Sequence, residues 1–186
     1  PINCFTSCRN LRRIEEEGFQ WEAQSDDPEF SLDISEFFMR EAGWFAVSIS
    51  VRVPEPGGRA KLIFETSRGI GAERVVAFPF ISDRPLVRIL KLDDQVLGIR
   101  FKPVERCGRF TITRIGIGRL EWNQAEERML GDLILEDRYR NLRGRADLRK
   151  VLKSGPGGLP VYRKRLLREY ASIFGENHSL SYRRWI

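Results

Sequence analysis

The run GWFAVSISVRVP at residues 43–54 alternates without interruption: Phe45, Val47, Ile49, Val51 and Val53 share one parity, while Ala46, Ser48, Ser50 and Arg52 share the other. In an extended chain successive side chains point to opposite faces, so this stretch makes a strand with one buried and one solvated face. A strand of that kind needs a second apolar layer to cover it, which commits the chain to packed β-structure. The run stops at Pro54-Glu-Pro-Gly-Gly58, where fixed and permissive backbones make a turn.

The same period of two dominates from Phe19 to Trp122. Strands are predicted over Phe19–Gln24, Glu29–Ile34, Arg59–Thr66, Arg74–Ile81, Leu86–Leu92, Val96–Phe101 and Arg109–Leu120, joined by Gly, Pro and Asp turns. About eight short strands with turns at this spacing fit a mainly β fold, an antiparallel β-sandwich of jelly-roll type. In the last strand Phe110 and Ile112 are in step but Ile115 and Ile117 are one residue out, which calls for a bulge near Thr113-Arg114. Beyond Trp122 the period becomes helical, with helices expected over 123–141, 146–153 and 160–174. Their inward stripes would be Leu130, Leu133 and Ile134, then Leu148, Val151 and Leu152, then Tyr162, Leu166, Tyr170 and Ile173. The organisation expected is a lead-in over 1–18, a sandwich over 19–122 and an α-helical C-terminal region over 123–186.

Within the sandwich, Ser67-Arg-Gly-Ile-Gly71 has the look of a nicotinamide dinucleotide loop. Such a loop needs a strand, a glycine turn and a helix whose N-terminal amides face the pyrophosphate. Glu65 stands where the first glycine would be, and Ala72-Glu-Arg-Val-Val-Ala-Phe78 followed by Pro79 is β-branched and proline-stopped. The string reads as a turn between two strands, and no cofactor is implied.

Charge is unevenly divided. Residues 1–122 hold 18 Lys+Arg against 18 Asp+Glu, whereas residues 123–186 hold 14 against 8 and so carry the whole net charge of +6. Arg163, Lys164 and Arg168, with Arg183 and Arg184, form a candidate basic surface for an anionic membrane face or nucleic acid. Interspersed acids argue against nucleic acid. No apolar run approaches the ~20 residues of a membrane-spanning helix. Three cysteines, an odd count, do not suggest a disulfide framework, and a reduced cytoplasmic setting is expected. Cys4 and Cys8 could share a helix face, but His178 is the only histidine and no metal site is expected. Neither an elbow serine nor a supported cysteine is readable, so no catalytic residue is assigned and this chain alone is expected to be non-catalytic.

Among the aromatic residues, Trp21 and Trp122 are candidates for stacking on sugar rings, and Trp44 is expected in the core. Short patterns point the same way. Asp27-Pro28-x-Phe30-x-Leu32, Gly43-Trp44-Phe45, Ala60-x-Leu62-x-Phe64 with a glycine loop ending in Glu73, and Ile99-Arg100-Phe101-Lys102-Pro103 before Gly108-x-Phe110-x-Ile112 together resemble the N-terminal β-sandwich of bacterial family-2-type glycosyltransferases of O-antigen, capsule or rhamnan-like polysaccharide assembly. Lys102 stands where these modules usually carry an aspartate. Tyr182-Arg-Arg-Trp185-Ile186 resembles the end of their helical linker, and the start at Pro1 suits a processed product or fragment.

The resemblance implies an accessory, glycan-binding or positioning module whose catalytic domain follows Ile186. Its partners would be a glycan acceptor and its own catalytic domain. Its place would be cytoplasmic, with peripheral contact at the inner membrane. The alternative is an interaction adaptor whose basic helices bind nucleic acid or anionic lipid.

Overall fold

The computed structural model describes residues 5–14, 19–33, 35, 41–54, 58–67, 75–79 and 86–174. It divides the chain into two compact units, residues 1–120 and 121–186. Among the described residues the first unit contains ten strands: β1 (Phe5–Arg9), β2 (Leu11–Arg13), β3 (Gln20–Ala23), β4 (Glu29–Leu32), β5 (Gly43–Arg52), β6 (Arg59–Thr66), β7 (Val75–Pro79), β8 (Leu86–Leu92), β9 (Val96–Lys102) and β10 (Gly108–Leu120). They form two five-stranded antiparallel sheets, sheet I in the order β1-β4-β9-β6-β7 and sheet II in the order β2-β3-β10-β5-β8.

The eight strands from β3 onward reproduce jelly-roll connectivity, because β3-β10-β5-β8 and β4-β9-β6-β7 are built by a chain that repeatedly crosses from one sheet to the other. The expected fold class therefore holds. The bulge also falls where parity required it, as the β10–β5 register slips between Ile112 and Arg114. After the slip Ile115 and Ile117 face Ile49 and Val47, and the apolar sets of both strands lie on one face.

Alternation places the core between the sheets. Phe30, Phe64, Phe101 and Leu62 of sheet I and Phe45, Val47, Phe110 and Ile112 of sheet II are each at most 2% exposed. The segment expected as a lead-in contributes β1 and β2, so the sandwich begins before Phe19. Asn10 makes the sharp turn between them at φ 58°, a left-handed conformation that asparagine tolerates, and its Nδ2 donates to the Asp27 carbonyl at 3.1 Å. Cys8 lies on strand β1, which removes the helix-face pairing considered for it.

Of the dehydrogenase-like string only Ser67 is among the described residues. The strands on either side of it, β6 and β7, pair antiparallel from Arg59↔Pro79 to Ile63↔Val75. Residues 75–79, which would lie within a phosphate-binding helix, are therefore a strand.

The second unit holds α1 (Trp122–Leu133), a short 3-10 turn at Asp137–Tyr139, α2 (Arg145–Lys153) and α3 (Gly158–Ser172). The Glu121 N–H donates to Gln124 Oε1 at 3.0 Å, the return half of a capping box, and this starts α1. The helix predicted to reach residue 141 stops at Leu133 and gives way to that turn. Gly157 sits at φ 115°, and a Cβ there would stand 2.3 Å from Val161 Cγ2, so glycine is what lets α3 begin.

Ala125, Met129, Leu130, Leu133, Leu148, Leu152, Tyr162, Leu166 and Tyr170 form this unit's core. Val151, expected inward, is 40% exposed.

Candidate functional site

Neither predicted sugar platform is a free aromatic surface. Trp21 is in register with Phe110, so its ring points into the sandwich. There it lies edge-on to Phe30 at 4.8 Å and to Phe5 at 6.3 Å, with its Nε1 buried among the rings and without an acceptor. Trp122 belongs to the helical unit, and its ring is covered by the Arg163 guanidinium 4.5 Å from the centroid. The two residues sit in different units, and each has ring contacts within its own. Trp44, expected in the core, has the parity of Ala46 and Ser48, opposite to buried Phe45.

Two residues of the predicted basic surface have partners within the helical unit, although Arg163, Lys164 and Arg168 are all exposed. Arg163 lies on Trp122, and Arg168 is 3.5 Å from Glu169. Neighbouring Arg165 donates to the carbonyls of Ser154 at 3.0 Å and Val151 at 3.4 Å, closing the C-terminus of α2. Lys164 remains outward, and Arg183 and Arg184 lie outside the described residues.

The densest polar arrangement is one the sequence did not single out, the outer face of sheet I. Strand order brings β4, β9 and β6 side by side, and alternation turns Glu29 and Ser31, then Gly98, Arg100 and Lys102, then Lys61, Ile63 and Glu65 to the same side. At its centre Arg100 is held between two carboxylates. Its Nη1 donates to Glu29 Oε2 at 3.1 Å, and its Nε lies 2.9 Å from Glu65 Oε1 but out of hydrogen-bonding line.

Beside it Lys102 donates to Asp27 and lies 4.0 Å from Glu29, while Arg9 reaches Asp27 at 2.9 Å. The Lys102 ammonium holds the Asp27 carboxyl below the usual carboxylate range, with Arg9 and Arg100 adding to it. Lys102, unusual at this position of the resembled motif, thus has its counter-charge on β4's lead-in. At the other end Lys61 and Arg59 pair with Glu105; burial pushes that carboxyl up and the two cations more than reverse it.

Ile63 and Val75 are in register beside Arg100, Ile63 largely covered at 7% exposed and Val75 half-buried. The face therefore offers fixed donors and acceptors, with Val75 the partly exposed aliphatic side chain near them. Among the described residues no group of three or more His, Cys, Asp or Glu is arranged to hold a metal ion.

No family model and no curated protein matches this chain. Solved structures do. The chain is similar to a BiXyn10A CBM1 in apo form, at 11% identity and a TM-score of 0.40 over 62% of this chain and 93% of that one. It is similar to the carbohydrate binding module CBM6cm-2 from Cellvibrio mixtus lichenase 5A in complex with cellotriose, at 11% identity and a TM-score of 0.41 over 64% and 95%. A family 29 carbohydrate binding module gives 13% identity and a TM-score of 0.38 over 62% and 77%.

Among the described residues no helix is long and apolar enough to cross a membrane.

Proposed function

We propose that the sandwich is a glycan-binding module of a polysaccharide-assembling glycosyltransferase, non-catalytic in itself, which holds or positions the acceptor, while the helical unit links it to a catalytic domain. The observation that carries the binding part is the outer face of sheet I. Sugar hydroxyls are recognised by fixed donors and acceptors, and the partly exposed Arg100, Glu65 and Lys102, with Glu29 holding Arg100 from below, make such a set. The glycosyltransferase context is supported by the motif resemblance from Asp27 to Ile186.

Isothermal titration of residues 1–186 with oligosaccharides is expected to give binding without turnover. Affinities in the micromolar to millimolar range, about −8 to −4 kcal/mol, suit a single shallow site. Absence of binding to every glycan offered would reduce the sandwich to a spacer, and sugar transfer by this chain alone would overturn the non-catalytic assignment. The adaptor reading is not favoured, since Arg163 and Arg165 are engaged within the helical unit. Reversing the charge of Lys164 and Arg168 is therefore expected to leave liposome and duplex DNA retention unchanged.

A further inference from the structure

The geometry points to an uncharged sugar bearing a vicinal diol as the ligand of the outer face of sheet I, with Arg100 and Glu65 as its paired donor and acceptor. This rests on the glycan-binding reading above and names what that site selects.

Charge balance is the first argument. The centre of the face sets Asp27, Glu29 and Glu65 against Arg9, Arg100 and Lys102, three anions against three cations joined by contacts of 4.0 Å or less. A uronate or phosphate placed there finds Arg9, Arg100 and Lys102 already paired with carboxylates and meets the like charges of Glu65 and Glu29 at close range. Hydroxyl groups face no such penalty. Each both donates and accepts, so two on adjacent carbons can give their protons to a carboxylate while their oxygens accept from a guanidinium.

Arg100 and Glu65 are set up for that exchange. Glu29, with a side chain only 11% exposed, fixes one nitrogen of the guanidinium from below, while the Arg100 side chain stays 27% exposed beside a Glu65 carboxylate that is 37% exposed, so both present part of their polar surface outward. Gly98 is the third element. A Cβ at that position would stand 2.7 Å from Glu65 Oε2, so the bare backbone of β9 is what lets the carboxylate lie across the strand beside Arg100.

The test titrates the full chain and its Glu65→Gln, Arg100→Gln and Gly98→Ala variants with neutral oligosaccharides carrying vicinal diols and with matched uronate-bearing ones. Wild type is expected to bind the neutral set and to bind the uronates at least about tenfold more weakly, and each variant is expected to lose at least about tenfold on the neutral set. Gly98→Ala retains both charged partners and displaces only the far end of Glu65, so it decides the matter if Arg100→Gln does not fold, and melting temperatures identify that case. Neutral glycans bound equally by wild type and by all folded variants, or uronates bound as tightly as neutral sugars, would overturn this assignment and leave the glycan-binding reading standing. No binding of wild type to either set would remove both.

Discussion

Replacing Phe30 by alanine is expected to lower the stability of the sandwich unit by about 3–5 kcal/mol. The ring is fully buried, stacks on Phe5 at 4.2 Å, meets Trp21 edge-on at 4.8 Å and lies 6.2 Å from Phe101. It thus ties β1, β4 and β9 of sheet I to β3 of sheet II. Truncation removes those contacts and opens a cavity beside the Trp21 indole nitrogen, which already lacks an acceptor. Such a site collapses poorly, because the surrounding rings are held by two sheets whose registers are fixed by backbone ladders. Urea unfolding followed by tryptophan fluorescence measures the loss. A change below about 1 kcal/mol would mean that this cluster is not the centre of the core.

How far the fold was legible follows from where burial produced a pattern. Strands β6 and β8 occupy the residues alternation assigned to them, and the β10 bulge was readable because a parity slip in a two-faced strand has few other repairs. The segments β1 and β2 were missed for the same physical reason in reverse. FTSCR and LRR lie at sheet edges and carry mostly exposed side chains, so they leave little apolar alternation to read.

The helical unit shows the same limit. Leu148 and Leu152 were read inward with Val151, yet only the first two face the core. A period of 3.6 in a nine-residue helix does not say which flank of the stripe is covered.

The site was less legible than the fold. Trp21 drew attention as a large aromatic residue near the end of the β region, yet it shares parity with Ala23, which is 2% exposed, and that alternation was the available sign that the ring points inward. Glu29, Glu65 and Arg100 lie far apart in sequence and meet only because the jelly-roll order puts β9 between β4 and β6. No local spacing encodes that meeting. Each residue alone reads as an ordinary solvated charge on the outer parity of its strand.

In the helical unit the decisive residue is Glu126, a carboxylate that apolar periodicity passes over and that is 8% exposed. Tyr162 donates its hydroxyl proton to Glu126 Oε1 at 2.5 Å, and Arg149 Nε donates to the same oxygen at 2.8 Å, so one side chain of α1 binds both α2 and α3. Burial pushes the Glu126 carboxyl up, and the Tyr162 and Arg149 hydrogen bonds more than reverse this, leaving it below its ordinary value. Burial, together with the Glu126 hydrogen bond, raises Tyr162 above its ordinary range.

Glu126→Ala leaves the buried Tyr162 hydroxyl without its acceptor and the Arg149 guanidinium with Glu127 alone, and is expected to destabilise this unit by about 2–4 kcal/mol. Glu126→Gln, which keeps an acceptor for Tyr162 but removes the charge, is expected to cost less than alanine. The pH dependence separates charge from packing. Because the folded-state value is depressed, the unfolded chain binds more protons, so the contribution of Glu126 is present above the unfolded carboxylate pKa and is lost as pH falls through the folded value. Thermal melts of wild type between neutral and acid pH, followed by the helical circular dichroism signal, are expected to show that loss, and Glu126→Gln to show a smaller one. Equal acid slopes for the two proteins would mean that the charge on Glu126 does not hold the three helices together.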